Sequence, residues 1–188
     1  MIFRPRNLIP LWIGLGFFVL GLLVLWYGNV YSEEREERVS ETEVLVKVFF
    51  SNSEFDPGSL KCEKTYPAYR MAELSQKINV AAFVEVSSSE ELAKKIYYAV
   101  NGLLTGVTKE EEKEGYFSSL NPLTRINKII IEDGTAYADF SRELNEGAAG
   151  SCKVSAIRSQ IENTLKQFPE INDVVISVNG DSENILQP

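Results

Sequence analysis

A run of twenty residues without a charge, Leu8 to Tyr27, constrains this chain more than any other feature. As a helix, a run of that length rises ~30 Å, the thickness of the hydrocarbon core of a bilayer. Arg4 and Arg6 precede the run, and the first charged residue after it is Glu33. Because positively charged flanks stay on the cytoplasmic side of a membrane, the segment after the run is expected outside the cytoplasm. The sequence therefore predicts a single transmembrane anchor at 8–30.

Two other interpretations of the run are less consistent with its length and context. A core helix that is apolar on all sides needs a large protein to cover it, which a chain of 188 residues with one such run does not provide. A cleaved secretory signal has an apolar core of only about 7–15 residues, although Val30-Tyr31-Ser32 resembles a marginal cleavage site. We therefore expect an uncleaved anchor, with residues 1–7 in the cytoplasm and a charged stalk at 31–42.

The portion beyond the membrane is strongly acidic. Without Arg4 and Arg6 it holds 17 basic and 27 acidic residues, a formal net charge of −10. Such a surface repels phosphate backbones and anionic headgroups, so nucleic acid is not an expected partner. About 145 residues follow from Glu43 onward, enough for one domain with its own core. We place this domain at 43–180 and a polar tail at 181–188.

Cys62 and Cys152 are the only two cysteines, and both lie on the predicted external side. An isolated pair in an oxidising compartment usually forms one structural disulfide, here closing a loop of about 90 residues. The alternative is two unrelated thiols, one buried and one exposed. We expect the disulfide.

Residue patterns predict several strands and two helices in the external domain. Glu43 to Phe50 is rich in β-branched and aromatic residues and is typical of a strand. Thr65 to Met71 is a second candidate, restricted by Pro67 to an edge or a strand start, and Val80 to Val86 is a third. The first helix is expected to begin at Ser88, with Glu91 completing a capping box, and to end at Gly106. Its apolar stripe comprises Leu92, Ile96, Val100, Leu103 and Leu104.

The clearest local signal is Asp133-Gly134, which separates the β-type runs Ile126 to Glu132 and Thr135 to Phe140. Such a dipeptide predicts a tight hairpin, because a type I′ turn needs positive φ at both central residues. A second helix follows, with a stripe formed by Val154, Ile157, Ile161, Leu165 and Phe168. Asp173 to Asn179 is nearly all apolar, which predicts a strand in the middle of the sheet.

Strands and amphipathic helices in this order predict an α/β (α+β) fold. Two helices with one apolar face each can both pack on one face of a sheet. We expect a two-layer sandwich, with a mixed sheet, that follows the transmembrane helix.

The chain also resembles the GerMN domain of sporulation and spore-germination proteins over most of 43–180. No single piece is specific, and the order and spacing of five pieces carry the resemblance. They are Val46 to Phe50, Leu103 to Gly106, Tyr116 to Pro122, Ile131 to Ser141 and Val175 to Gly180. The resemblance implies an extracytoplasmic interaction module of the bacterial envelope rather than a catalyst. Such domains are similar to the ring-building motifs of secretion-type complexes, which assemble a channel between two membranes.

The composition also argues against an enzyme, since the chain has no histidine. That removes the Ser-His and Cys-His nucleophile pairs and the commonest metal ligand together. The loop from Gly147 to Gly150 precedes a helix, but Cys152 and Lys153 stand where a phosphate-binding loop would place Lys-Ser/Thr. We expect no catalytic residue, no cofactor and no metal site.

Two classes of function remain open. The first is a membrane-tethered interaction or assembly domain that binds an envelope protein, or itself, and an exposed edge strand would favour it. The second is a domain that binds a cell-wall glycan or small ligand, which a concave aromatic-lined groove would favour. Tyr97, Tyr98, Tyr116 and Phe117 are candidate interface aromatics, although burial tendencies favour partly buried core positions for them.

Overall fold

The computed structural model describes residues 22–27, 43–58, 61–74, 78–87 and 89–187. The chain divides into two compact units, Met1–Thr42 and Glu43–Pro188. In the first unit, residues 22–27 are helical. Over the described positions, no helix combines the length and the apolar character that a membrane crossing requires. Of the predicted anchor at 8–30, only residues 22–27 are among the described residues. The predicted stalk at 31–42 lies entirely outside them.

The second unit contains seven strands and three α-helices within its described residues. The strands are β1 (Glu43–Asn52), β2 (Tyr66–Glu73), β3 (Val84–Val86), β4 (Tyr116–Phe117), β5 (Ile126–Glu132), β6 (Thr135–Phe140) and β7 (Asp173–Val178). The helices are α1 (Glu90–Thr105), α2 (Lys109–Lys113) and α3 (Ser151–Leu165), with short 3₁₀ turns at Val80–Ala82 and Arg142–Leu144. The run at 80–86, predicted as one strand, is thus a 3₁₀ turn followed by the short strand β3.

The strands form two sheets, so the α+β class is confirmed and the predicted single mixed sheet is wrong. The first sheet has the order β2-β1-β4 and is antiparallel, and the second is mixed, with the order β3-β5-β6-β7. Helices α1 and α3 contact each other, and each contacts strands of both sheets instead of one face of one sheet. A period of two determines which face of a strand is buried but not which strand lies beside it.

The final strand β7 lies at an edge, not in the middle of its sheet as predicted. Ile176 and Val178 are buried, whereas Val175 is exposed on the opposite face beside Tyr137. The strand therefore has the usual alternation of buried and exposed residues, but one of its exposed positions is a valine. This valine makes its composition resemble that of a central strand.

The hairpin and both helices follow the local predictions closely. Asp133 and Gly134 have φ of 48° and 77°, the positive values that the tight turn needs. Most of the stripe on α1 and all of the stripe that ends at Phe168 are buried, with Leu104 only partly covered. Ser89, not Ser88, caps α1 by accepting a hydrogen bond from the Leu92 N–H at 3.0 Å. The predicted capping box therefore starts one residue too early.

The predicted tail contributes to the core. Ile185 and Leu186 are buried, and the Leu186 N–H donates to Asn145 Oδ1 at 2.8 Å. Arg158 donates to the Ile185 carbonyl at 3.1 Å, which ties the segment to α3. The expectation of a trailing polar tail at 181–188 was wrong for these two apolar residues, because a pair this short shows no periodicity.

Candidate interaction surface

Strand β2 is an edge strand, and its hydrogen-bonding direction follows from its partner β1. The N–H groups of Lys47 and Phe49 donate to Gln167 Oε1 at 2.8 Å and to Thr164 Oγ1 at 3.1 Å, on the side of β1 away from β2. Hydrogen-bonded and non-hydrogen-bonded pairs alternate along an antiparallel ladder. The pair Lys47–Tyr69 is therefore of the non-hydrogen-bonded kind, and the backbone groups of Tyr69 and Met71 point outward from the sheet.

Both ends of this outward edge are closed. The Tyr116 hydroxyl donates to the Pro67 carbonyl at 3.2 Å, and proline has no N–H to satisfy. At the other end, the Tyr98 hydroxyl donates to the Glu73 carbonyl at 2.7 Å. Between them, the outward groups of Tyr69 and Met71 have no hydrogen-bond partner among the described residues. The centre of the edge is therefore open to another strand.

Exposed apolar side chains lie beside this open backbone. Tyr69 and Met71 are 57% and 63% exposed, and Leu45, directly opposite Met71, is 57% exposed. We call these three side chains, with the outward backbone of Tyr69 and Met71, the Tyr69 surface. Unpaired main-chain groups beside apolar side chains are what an added β-strand needs, since the backbone supplies affinity and the side chains supply specificity.

The opposite edge of the same sheet is closed by side chains over the matching stretch. Gln167 accepts from the Lys47 N–H at 2.8 Å and donates to the Lys47 carbonyl at 2.6 Å, which mimics a neighbouring strand. Thr164 Oγ1 accepts from the Phe49 N–H at 3.1 Å. The sheet is thus protected along one edge and open along the other.

A second exposed apolar row crosses the outer face of the other sheet. Ile130, Tyr137 and Val175 are direct neighbours on β5, β6 and β7, and each is more than a third exposed. An ion pair between Lys128 and Glu85, with 3.1 Å between Nζ and Oε2, lies beside this row. Ile130 and Tyr137 lie on strands that are paired on both sides, so their backbone groups are not open to an added strand, whereas Val175 lies on the edge strand β7.

The aromatic residues singled out from the sequence divide by role. Tyr97, Tyr98 and Tyr116 are half-buried, as burial tendencies predicted, and Phe117 is more exposed. Burial, and then the negative charge of Glu73, raise the pKa of Tyr98. Both tyrosine hydroxyls that close the β2 edge remain protonated donors at neutral pH.

The predicted disulfide is present between Cys62 and Cys152, with their Cα atoms 5.1 Å apart. It joins the segment between β1 and β2 to the first turn of α3. A cavity of about 640 Å³ lies beside the bridge and is lined in part by Lys61, Lys64 and Lys153. Over the part of the chain that the structure describes, no group of three or more Cys, Asp or Glu side chains is close enough to hold a metal ion.

No local sequence pattern indicates the ion pair between Arg70 and Glu111, which is the most buried one among the described residues. The charged run from Lys109 to Glu114 has the composition of a solvated loop or exposed turn, but Lys109–Lys113 forms α2, capped by Thr108 and Glu111. Glu111 Oε2 lies 2.6 Å from Arg70 Nη2, and both side chains are largely buried. Arg70 also donates to the Gly106 carbonyl at 3.0 Å. Arg70 therefore attaches β2, and with it the Tyr69 surface, to α2 through Glu111 and to the end of α1 through Gly106.

Asp139 organises the end of the second sheet. Its carboxylate accepts hydrogen bonds from the Ser177 hydroxyl and the Gly180 N–H at 2.7 Å each, and from the Asn127 amide at 2.9 Å. Burial alone would raise the pKa of this carboxyl, but the three donors outweigh it and hold the pKa below its ordinary value. The sequence alone suggests only the polar side of a strand for Asp139, whereas its hydrogen bonds join three other segments to β6.

These features define a small α+β domain that combines two sheets, a disulfide and an edge strand β2 that is open at its centre. A family model described as Germane, sporulation and spore germination, matches residues 67–184. The match covers more than half of the chain, and the chain belongs to this family. The resemblance to the GerMN domain that the sequence suggested is thereby confirmed.

Two solved structures of GerMN domains are similar to this chain. The tandem GerMN domains of the sporulation protein GerM from Bacillus subtilis are 20% identical, with a TM-score of 0.47 over 78% of this chain and 43% of that chain. The first GerMN domain of the same protein is 20% identical, with a TM-score of 0.41 over 74% of this chain and 85% of that chain. The chain thus spans less than half of the tandem structure. A search of curated proteins gives no match.

Proposed function

We propose that this chain is a non-catalytic, membrane-anchored domain that binds a protein partner, or a second copy of itself, on the outer side of the membrane. The observation that carries the proposal is the open centre of the β2 edge beside exposed apolar side chains. An extended segment of the partner would pair with the outward N–H and C=O groups of Tyr69 and Met71.

The contrast between the two edges of the sheet supports this use of β2. Native proteins close sheet edges because an open one invites pairing with other chains. Gln167 and Thr164 close one edge, whereas the other is closed only at its ends. An edge left open beside three exposed apolar residues is therefore better explained by a partner than by chance.

The location outside the cytoplasm is supported by three features of the chain. The uncharged run at 8–27 is long enough to cross a bilayer, and its basic flank precedes it. The disulfide between Cys62 and Cys152 suits an oxidising compartment. The family is described by sporulation and spore germination, which suits a role in the bacterial envelope.

Site-specific photocrosslinking in native membranes tests the proposal. A photoreactive phenylalanine derivative replaces Tyr69 in the full chain, and the matched control carries it at Tyr137, an exposed tyrosine on the other sheet. We expect a crosslinked protein product of defined mass from position 69. Its mass distinguishes a second copy from a different protein. Equal labelling at both positions, or recovery of cell-wall fragments without any protein, would contradict the proposal.

A pair of variants at one position tests strand addition itself. Met71→Pro removes the outward N–H but leaves the pairing with β1, because that N–H faces away from β1. Met71→Ala removes the side chain and keeps the N–H. We expect Met71→Pro to abolish the crosslink and Met71→Ala to weaken it. Loss of the crosslink in the alanine variant alone would indicate side-chain recognition without strand pairing.

A further inference from the structure

A second concave site lies away from the β2 edge, between α1 and the segment that leads into β5. Its volume is about 390 Å³, within the range of small-molecule sites. Its lining includes Phe83, Tyr97, Asn101, Thr124 and Arg125. We call it the Thr124 pocket.

One wall of the Thr124 pocket is aromatic. The rings of Phe83 and Tyr97 have centroids 5.5 Å apart and planes tilted by 37°, and both residues are only half-buried. The face of an aromatic ring carries partial negative charge, so it attracts the C–H bonds on the flat side of a sugar ring. An aromatic wall of this kind suits a carbohydrate.

Thr124 contributes the polar group of this pocket that most needs a hydrogen-bond partner. The residue is 5% exposed, and its Oγ1 has no hydrogen-bond partner among the described residues. Buried hydroxyls are normally paired, since an unpaired one loses its bonds to water without replacement. The backbone on either side is fixed, because the Thr124 N–H donates to Asn121 and the Arg125 N–H donates to Ser141. A local rearrangement of this segment would have to break those bonds to give the hydroxyl a partner.

The pocket also holds a cation without a counter-ion. Arg125 is exposed, and its guanidinium makes no ion pair or hydrogen bond with a described residue. It is the single charged side chain among the described lining residues, on a domain whose net charge is strongly negative. A guanidinium binds carboxylates well because its parallel N–H groups match the two oxygens.

We propose that the Thr124 pocket binds an acidic sugar. The sugar ring packs on Phe83 and Tyr97, and the carboxylate pairs with Arg125. A ring substituent bonds to the Thr124 hydroxyl once that side chain turns toward the pocket. Asn101, exposed on α1 at the same pocket, offers an amide to the remaining hydroxyl or acetamido groups. This site is separate from the Tyr69 surface and does not depend on a protein partner.

Binding of two matched sugars to the full chain in detergent micelles tests the proposal. The probes are N-acetylmuramic acid and N-acetylglucosamine, which share a ring and an acetamido group and differ by the lactyl carboxylate. Titration calorimetry or ligand-detected NMR reports the affinity. We expect N-acetylmuramic acid to bind at least about tenfold more tightly, the equivalent of 1.4 kcal/mol. Equal affinities, or no binding of either sugar, would overturn the proposal.

Two variants connect any binding to the pocket. Arg125→Gln should remove the preference for the acidic sugar, and Lys153→Gln, which removes a cation from the cavity beside the disulfide, should leave it unchanged. Thr124→Val removes the unpaired hydroxyl with little change in shape. It should raise the melting temperature of the free protein and weaken sugar binding at the same time. Binding unaffected by Arg125→Gln and by Thr124→Val would place the sugar elsewhere and refute the site.

Discussion

The guanidinium of Arg70 lies 2.6 Å from the Glu111 carboxylate, and this pair joins the edge strand β2 to the short helix α2. Glu111 also accepts from the Thr108 N–H at 2.7 Å, so one carboxylate both caps α2 and neutralises a largely buried cation. Glu111 thus connects two segments, because it lies 41 positions from Arg70 in the sequence. Its loss would leave the Arg70 charge without its partner.

Glu111→Gln is expected to lower the free energy of unfolding by about 2 kcal/mol, less than for a fully buried pair because both side chains retain some exposure. Urea unfolding followed by circular dichroism measures the change. Glu112→Gln is the matched control, since Glu112 is exposed on the same short helix, and it should change stability by less than about 0.5 kcal/mol. Equal effects of the two variants would show that the Arg70 pair does not stabilise the fold.

Reduction of the disulfide is expected to destabilise the domain by about 2–4 kcal/mol, because the bridge joins residues 90 positions apart and restricts the unfolded chain. Thermal unfolding with and without reductant measures the shift. The double variant Cys62→Ser, Cys152→Ser should be as unstable as the reduced protein and insensitive to reductant. An unchanged transition in the reduced protein would contradict a stabilising role.

Asp139→Asn is expected to reduce stability at neutral pH by about 1–2 kcal/mol, since three donors bond to the carboxylate. The folded-state pKa of Asp139 is lowered, so its contribution is present above the unfolded-state pKa of about 3.9 and is lost as pH falls through the folded value. The difference between the two proteins should therefore shrink below about pH 4. Urea unfolding at several pH values measures it.

The matched control for that series is Glu170→Gln, an exposed carboxylate near the hairpin. Because Glu170 makes no contact with Asp139, this variant should change the free energy of unfolding by less than about 0.5 kcal/mol. A difference between Asp139→Asn and the parent that stays constant from pH 7 to pH 3 would contradict the assigned role.

Leu186→Ala is expected to destabilise the domain by about 2–4 kcal/mol, the cost of removing most of a buried leucine. Leu123→Ala provides the same chemical change at a leucine that is 64% exposed, and it should have little effect. Chemical denaturation compares them. Similar small effects for both leucines would mean that the C-terminal segment does not belong to the core.

Several features of this protein were determined by short stretches of its sequence. Asp133-Gly134 specified the hairpin because few residues adopt positive φ at both central positions of the turn. The apolar stripes of α1 and α3 were readable because a helix repeats its faces every three to four residues. The pairing of Cys62 with Cys152 followed from their number and expected compartment, and the order of short motifs pointed to the family.

Other features depend on contacts between distant segments. No local pattern indicates that β1 and β2 form a sheet of their own, that Gln167 closes one edge of it, or that Tyr98 and Tyr116 close only the ends of the other. Charged residues such as Arg70 and Glu111 look like ordinary surface residues until a partner from another element meets them. Sequence periodicity reports which face of an element is buried. Which element packs against that face is decided only when the whole chain packs. The same holds for which strand edge or hydroxyl is left without a partner.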